Sequence, residues 1–146
     1  MKLVFMGSPA LAIPVLEALV KDGHDIPAVY TSPDRQVGRG RKLEQSPVKS
    51  YAIKKNLPVF QPNSINAPEA YKDLKSISPE VIVVAAYSQL LSRNILSIPR
   101  FGVVNIHPSL LPSYRGPSPI ASSILGGEEK TGVTLILLEP KMDTGP

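Results

Sequence analysis

The sequence of 146 residues contains no cysteine. Disulfides and thiolate metal sites are therefore excluded, and the composition suits a reducing compartment. No apolar run approaches the roughly 20 residues that a membrane-spanning helix needs. The chain enters an apolar run at Lys2, leaving no room for a signal or transit peptide, so a soluble, cytoplasmic protein is expected. Only two histidines occur, His24 and His107, and they are not at ligand spacing, so no metal site is expected. His24, in a turn before an apolar run, reads as a surface loop residue. After the first apolar run Gly7 is followed by Ser8, Pro9, Ala10, Leu11 and Ala12, so the dinucleotide fingerprint G-x-G-x-x-G is missing. The phosphate-loop pattern G-x-x-x-x-G-K-[ST] is not met either, nor is the G-x-S-x-G elbow of a serine nucleophile.

What is present suits one domain of ordinary size. Hydrophobic residues make up 42% and charged residues 19%, enough for a core and against disorder. The net charge of +4 permits an anionic partner without requiring one. Sixteen prolines fall mostly between apolar runs and punctuate many short elements.

Lys2–Met6 reads as a buried strand, and Ser8-Pro9 as a helix start. Leu11, Val15, Leu16, Leu19 and Val20 mark a helix face ending near Asp22-Gly23. Ile26–Thr31 reads as a second strand; strand, turn, helix, strand opens a parallel α/β sheet. A helix follows from Ser46-Pro47 to about Asn56, then a short strand Pro58–Phe60 and a helix from about Pro68 to Ser76. Glu80–Ala86 has no alternation and reads as a parallel strand buried on both faces. A short helix, about Ser92–Ser97, leads to the strand Phe101–Ile106. Pro119–Leu125 reads as helical and Thr131–Leu138 as a last strand, at an unpaired sheet edge.

Two stretches stand apart. Ser32–Ser46 carries Arg35, Arg39, Arg41 and Lys42 with Gly38 and Gly40 interleaved. At about 15 residues it exceeds the usual connection of 2–6 in an α/β unit. A solvated loop and an electrostatic arm for nucleic-acid phosphate are equally compatible with it. The other stretch is Asn105-Ile106-His107-Pro108. If the strand runs to His107, Asn105 and His107 point the same way, at the carboxyl edge where ligands bind in open α/β sheets. Asp143 follows the next strand's end, so the three would converge from adjacent crossover units. An Asn amide and an imidazole can together donate to an oxyanion, and a nearby carboxylate can relay a proton. That set suits direct acyl transfer between two bound substrates. The other reading has Asn105 tying down a loop and Asp143 sitting in a turn before Gly145.

Asn105-Ile106-His107-Pro108-Ser109-Leu110-Leu111-Pro112, with Arg115-Gly116 and Met142-Asp143-Thr144-Gly145, resembles the folate-dependent formyltransferase family. The opening Phe5–Pro9 and the stretch Pro33-Asp34-Arg35 to Ser46-Pro47-Val48-Lys49 resemble the branch that acts on initiator methionyl-tRNA. The resemblance covers the whole chain. It implies a Rossmann-like open, mostly parallel sheet with helices on both faces, incomplete at its C-terminal end. It implies formyl transfer from 10-formyltetrahydrofolate, without metal, to the amino group of methionine on initiator tRNA, in translation initiation. A cytoplasmic monomer is implied, with no membrane partner. By position, Asn105 and His107 would hold the formyl oxygen, and Asp143 would orient His107 and assist proton removal. Tyr87, Ser88, Gln89 and Leu90, with Leu138, Glu139, Pro140, Lys141 and Met142, would line the folate pocket. Arg35, Arg39, Arg41 and Lys42 would face the tRNA. Ser109, Leu110, Leu111 and Pro112 would form the loop after the catalytic strand. Ser88 stands where the family often has Gly. The chain spans about half the family's length, so residues 1–146 are expected to be a truncated donor-binding domain lacking a C-terminal tRNA-binding barrel. The alternatives are a formyltransferase for glycinamide ribonucleotide or a sugar-nucleotide amine, or an inactive folate- or tRNA-binding fragment.

Overall fold

Lys2–Gly7 forms β1, buried from Leu3 onward, as an unbroken apolar run buried on both faces should be. The computed structural model describes residues 1–141 and 143–146. A short 3-10 turn, Ala10–Ala12, leads into α1 (Ile13–Lys21). Ser8 does not cap this helix as its position before Pro9 suggests; its hydroxyl accepts from the Ser32 amide at 3.0 Å. β2 (Asp25–Tyr30) carries Pro27 inside a paired strand. The register explains the tolerance: Lys2 pairs with Asp25 but Val4 with Ala28, an irregularity that accommodates a residue without an N–H.

The basic stretch is not a plain loop. Arg35–Val37 (β3) and Lys42–Glu44 (β4) pair antiparallel as a hairpin, all six residues exposed. Gly38 and Arg41 turn its tip with positive φ. Then come α2 (Pro47–Lys54), capped by the Ser46 hydroxyl on the Lys49 amide at 3.0 Å, and β5 (Val59–Phe60). They are followed by α3 (Pro68–Ile77), β6 (Val81–Ala85) and α4 (Arg93–Leu96). β7 (Val103–His107), α5 (Pro119–Leu125) and β8 (Thr134–Leu137) complete the order.

Six strands make one open sheet in the order β5-β2-β1-β6-β7-β8, parallel except for β8. Alternate β1 residues feed two cores. Leu3 and Phe5 pack with Ala12, Leu16, Val48 and Ala52 beneath α1 and α2. Val4 and Met6 pack with Ala70, Leu74 and Ile95 beneath α3 and α4. Helices thus cover both faces, each large buried side chain contributing roughly 1.5–3 kcal/mol. Among the described residues no helix is long and apolar enough to cross a membrane.

From β1 the chain winds outward through β2 to β5, then crosses back to β6 on the other side of β1. Strand order reverses between β1 and β6, and the crevice beyond their carboxyl ends is where such sheets bind ligands. Gly7 closes that junction: a Cβ there would lie 2.5 Å from the Ala85 carbonyl.

β8 corrects the expectation of adjacent crossover units. It runs antiparallel to β7, Thr134 opposite His107 and Leu137 opposite Val104, so its carboxyl end lies away from His107. Asp143 is carried back by the segment after β8, whose base is closed by Leu138 N–H to Val103 O (2.8 Å) and Leu137 N–H to Pro146 O (2.9 Å).

Candidate active site

At the reversal point lies a cleft of about 1270 Å³, larger than the 300–1,000 Å³ typical of small-ligand sites. Its floor is the end of β7, with Asn105, Ile106 and His107 all lining it. β7 does run to His107, so Asn105 and His107 share one side, two residues apart. One wall is the segment Ala86–Leu91 after β6, another the return segment Leu138–Lys141 with Asp143, and a third the hairpin, through Arg35, Val37 and Glu44.

His107 is 4% exposed and Asp143 8%. The Nε2 of His107 lies 2.9 Å from the Tyr114 carbonyl. A carbonyl only accepts, so Nε2 carries the proton and donates it. Nδ1 then faces Asp143, 3.7 Å from Oδ1, inside ion-pair range but beyond a good hydrogen bond. The other Asp143 oxygen, Oδ2, accepts from the Gly116 amide at 2.9 Å. Imidazole and carboxylate therefore grip one loop, in which Tyr114 and Gly116 both have positive φ. More bonds fix that loop. Ser109 Oγ donates to Ser113 O (2.7 Å), and Thr134 Oγ1 donates to Ser109 O (2.7 Å) while accepting from the Leu111 amide (3.1 Å). The Tyr114 hydroxyl donates to Glu128 at 2.8 Å.

The wall after β6 is fastened by two amides. Gln89 accepts from the Ile65 amide (2.6 Å) and donates to the Pro62 carbonyl (3.1 Å). Asn66 donates to Leu90 O and accepts from the Ser92 amide, both at 2.9 Å. The Gln89 side chain is thus engaged within the protein, and this wall offers the cleft its backbone. Tyr87 lines the cleft with its hydroxyl buried and, among the described residues, unpartnered. Burial pushes that hydroxyl's pKa up to about 12.

Asn105, His107, Asp143, Tyr87, Ser88, Gln89, Leu90, Leu138, Glu139, Pro140, Lys141 and Arg35 all line this one cleft. Arg39, Arg41 and Lys42 do not; they stand exposed at the hairpin tip. Ser109, Leu110, Leu111 and Pro112 lie in the pinned loop after β7 and are also outside the lining. Met142 falls outside the described residues. Sequence reasoning gives no role to Tyr114 and includes Gly116 only within the resemblance; both act through backbone atoms, which no side-chain pattern announces.

A family model described as formyl transferase matches residues 1–146. The chain belongs to the formyl transferase family. The methionyl-tRNA formyltransferase of Chloroflexus aurantiacus is 54% identical over 146 residues, covering 100% of this chain and 47% of that protein. That of Methylococcus capsulatus is 52% identical over 146 residues, again covering 100% of this chain and 47% of the relative. The chain thus spans about half the length of these curated relatives. Among solved structures, the phosphoribosylglycinamide formyltransferase of Bacillus halodurans superposes with a TM-score of 0.80 at 24% identity. It is matched over 100% of this chain and 76% of its own, a likeness of fold.

Proposed function

We propose that this formyl transferase chain forms the donor-binding and acyl-transfer part of a methionyl-tRNA formyltransferase. The reaction moves a formyl group from 10-formyltetrahydrofolate to the amino group of methionine on initiator tRNA, in the cytoplasm and as a monomer. The observation that carries this reading is the convergence of Asn105, His107 and Asp143 on one cleft that also touches the basic hairpin. Identity above one half to proteins of that name, over the whole chain, supports the choice of acceptor.

The cleft fits a folate. Val84, Leu91, Leu96 and Leu138 offer apolar surface for a flat ring. The two segments beside them, after β6 and after β8, offer backbone donors and acceptors for its polar edge. Bound there, the folate would supply the formyl carbon and leave as tetrahydrofolate, its N10 receiving the proton that the amine gives up to the His107–Asp143 pair. The chain's residues supply placement and proton handling. As the methionyl nitrogen bonds to the formyl carbon, negative charge grows on the formyl oxygen, and the side-chain amide of Asn105, which lines the cleft, can donate to it. His107 Nε2–H is held by Tyr114 O. It therefore reaches the same oxygen only by sharing that bond. The amine's excess proton passes to the His107–Asp143 pair: at Nδ1 it would face the Asp143 carboxylate across their 3.7 Å separation. The bond from Gly116 N–H to Asp143 keeps the carboxylate in place throughout.

Asn105→Ala and His107→Ala in the whole natural protein should each lower turnover by about 10²–10³. The measurement is single-turnover formylation of methionyl-tRNA, with glycinamide ribonucleotide as the competing acceptor. Near-normal turnover in either variant sinks the assignment of that residue. Preference for the small amine sinks the tRNA reading.

A further inference from the structure

The root of the β3–β4 hairpin is fastened by groups that the chemistry above does not use. Asp34, one residue before β3, receives the Lys49 ammonium on both carboxylate oxygens, at 2.9 and 2.8 Å. Gln61 Nε2 donates to the same carboxylate at 2.8 Å and to the Ser32 carbonyl at 3.0 Å. Lys49 belongs to α2 and Gln61 follows β5, so one carboxylate ties the hairpin to two framework elements. The side chains of Lys49 and Asp34 are only 16% and 26% exposed. The other leg is tied alongside, Thr31 Oγ1 lying 2.6 Å from Ser46 Oγ.

Beyond these ties the hairpin has little to hold it. It pairs at three positions, Arg35 with Glu44, Gln36 with Leu43 and Val37 with Lys42, and all six residues are exposed. A lone two-stranded hairpin is marginal in water, so its angle to the body is set at the root. That angle matters, because Arg35, Val37 and Glu44 line the cleft whose floor is Asn105 and His107.

We infer that Asp34, Lys49 and Gln61 form a clamp that positions the hairpin for the acceptor, and so governs acceptor recognition while leaving the donor end alone. The inference rests on the acceptor reading given above. The donor walls, Ala86–Leu91 and Leu138–Lys141, contain none of the three residues. The chemistry is consistent: hydrogen bonds from Lys49 and Gln61 hold the Asp34 carboxyl below its ordinary value of 3.8, so the clamp stays charged wherever the enzyme works.

The test uses the whole natural protein with Asp34→Asn, Lys49→Met and Lys49→Arg. Asp34→Asn and Lys49→Met should raise KM for methionyl-tRNA about ten-fold, the equivalent of about 1.4 kcal/mol. KM for the folate donor and kcat at saturating tRNA should move less than about two-fold, and Lys49→Arg should restore most of the loss. Independently of activity, trypsin should cut at Arg39, Arg41 or Lys42 about ten-fold faster in the two clamp-breaking variants at unchanged melting temperature. Donor and acceptor KM rising together, or neither moving, overturns the positioning role. If the wild type formylates no tRNA, the acceptor reading fails and the acceptor role of the clamp with it. The clamp as a hairpin-orienting device is then judged by trypsin alone, and unchanged cutting overturns that as well.

Discussion

Tyr30 and Tyr87 each bury a hydroxyl that finds no hydrogen-bond partner among the described residues. Burial raises the Tyr30 pKa well above its ordinary value of 10.0, helped by the nearby Asp73 charge and by Tyr87. It raises that of Tyr87 to about 12. Both shifts favour the protonated side chain in the folded chain. Between pH 10 and those raised values the unfolded chain loses protons that the folded chain keeps, so stability is present in full below pH 10 and falls as pH rises beyond it. Thermal melts at rising alkaline pH should show that fall, and Tyr30→Phe and Tyr87→Phe should each make it shallower; an unchanged slope would contradict the burial of the hydroxyls. At neutral pH both substitutions should be near neutral or stabilising, since no protein hydrogen bond is lost. At this scale the sequence was partly legible. Asn105 and His107 could be paired because a strand repeats every two residues. The partner of His107 could not be foreseen: it is the carbonyl of Tyr114, whose position depends on positive φ in a loop, and no residue-type pattern announces that.

At the scale of elements, Ser46 and Gly7 carry unequal burdens. Ser46→Ala removes the cap on α2 and the contact with Thr31, and should cost about 1–2 kcal/mol by denaturant titration. Gly7→Ala should cost more. Its added carbon would press on the Ala85 carbonyl in the centre of the sheet, where neither parallel strand can give way without disturbing both cores. A smaller loss for Gly7→Ala than for Ser46→Ala would mean that β1 and β6 yield more readily than their burial implies. The parallel strands were legible because unbroken apolar runs such as Val81–Ala85 need cover on two faces. β3 and β4 were not, since exposed strands of three residues, Arg-Gln-Val and Lys-Leu-Glu, are too short to show an apolar alternation. The direction of β8 was not legible either: Thr-Leu-Ile-Leu reads the same whichever way its neighbour runs.

At the scale of the whole molecule, net charge +4 is modest, and what matters is where the charge sits. Arg39, Arg41 and Lys42 stand exposed at the hairpin tip, clear of the cleft. Under the proposed function they meet the phosphates of the tRNA while the cleft holds the reacting groups. Arg39→Ala should therefore weaken formylation of methionyl-tRNA with little change in folate affinity. The deficit should shrink as salt is raised, because one fewer counterion is released on binding. Titrating tRNA at two ionic strengths measures this, and a loss of folate affinity in step would place the tip in the wrong site. The sheet order, with its reversal between β1 and β6, was only half legible. A strand–helix–strand start announces the fold class, whereas the side on which each later strand docks is decided by helix packing over the two faces.

The reversal of β8 has a consequence for how this site can diversify. Asn105 and His107 sit in the sheet, where inserting one residue within β7 would turn them to the opposite face and destroy the floor. Asp143 instead arrives on a return segment closed at its base by bonds from Leu137 and Leu138. Lengthening or shortening that segment between Leu138 and Lys141 leaves the register of β7 untouched and changes the reach of the carboxylate together with the wall that the same residues give the cleft. The imidazole is set by the sheet, whereas the carboxylate is set by its return segment and by the Gly116 amide that holds it, so the two halves of the pair can change independently while the sheet stays constant.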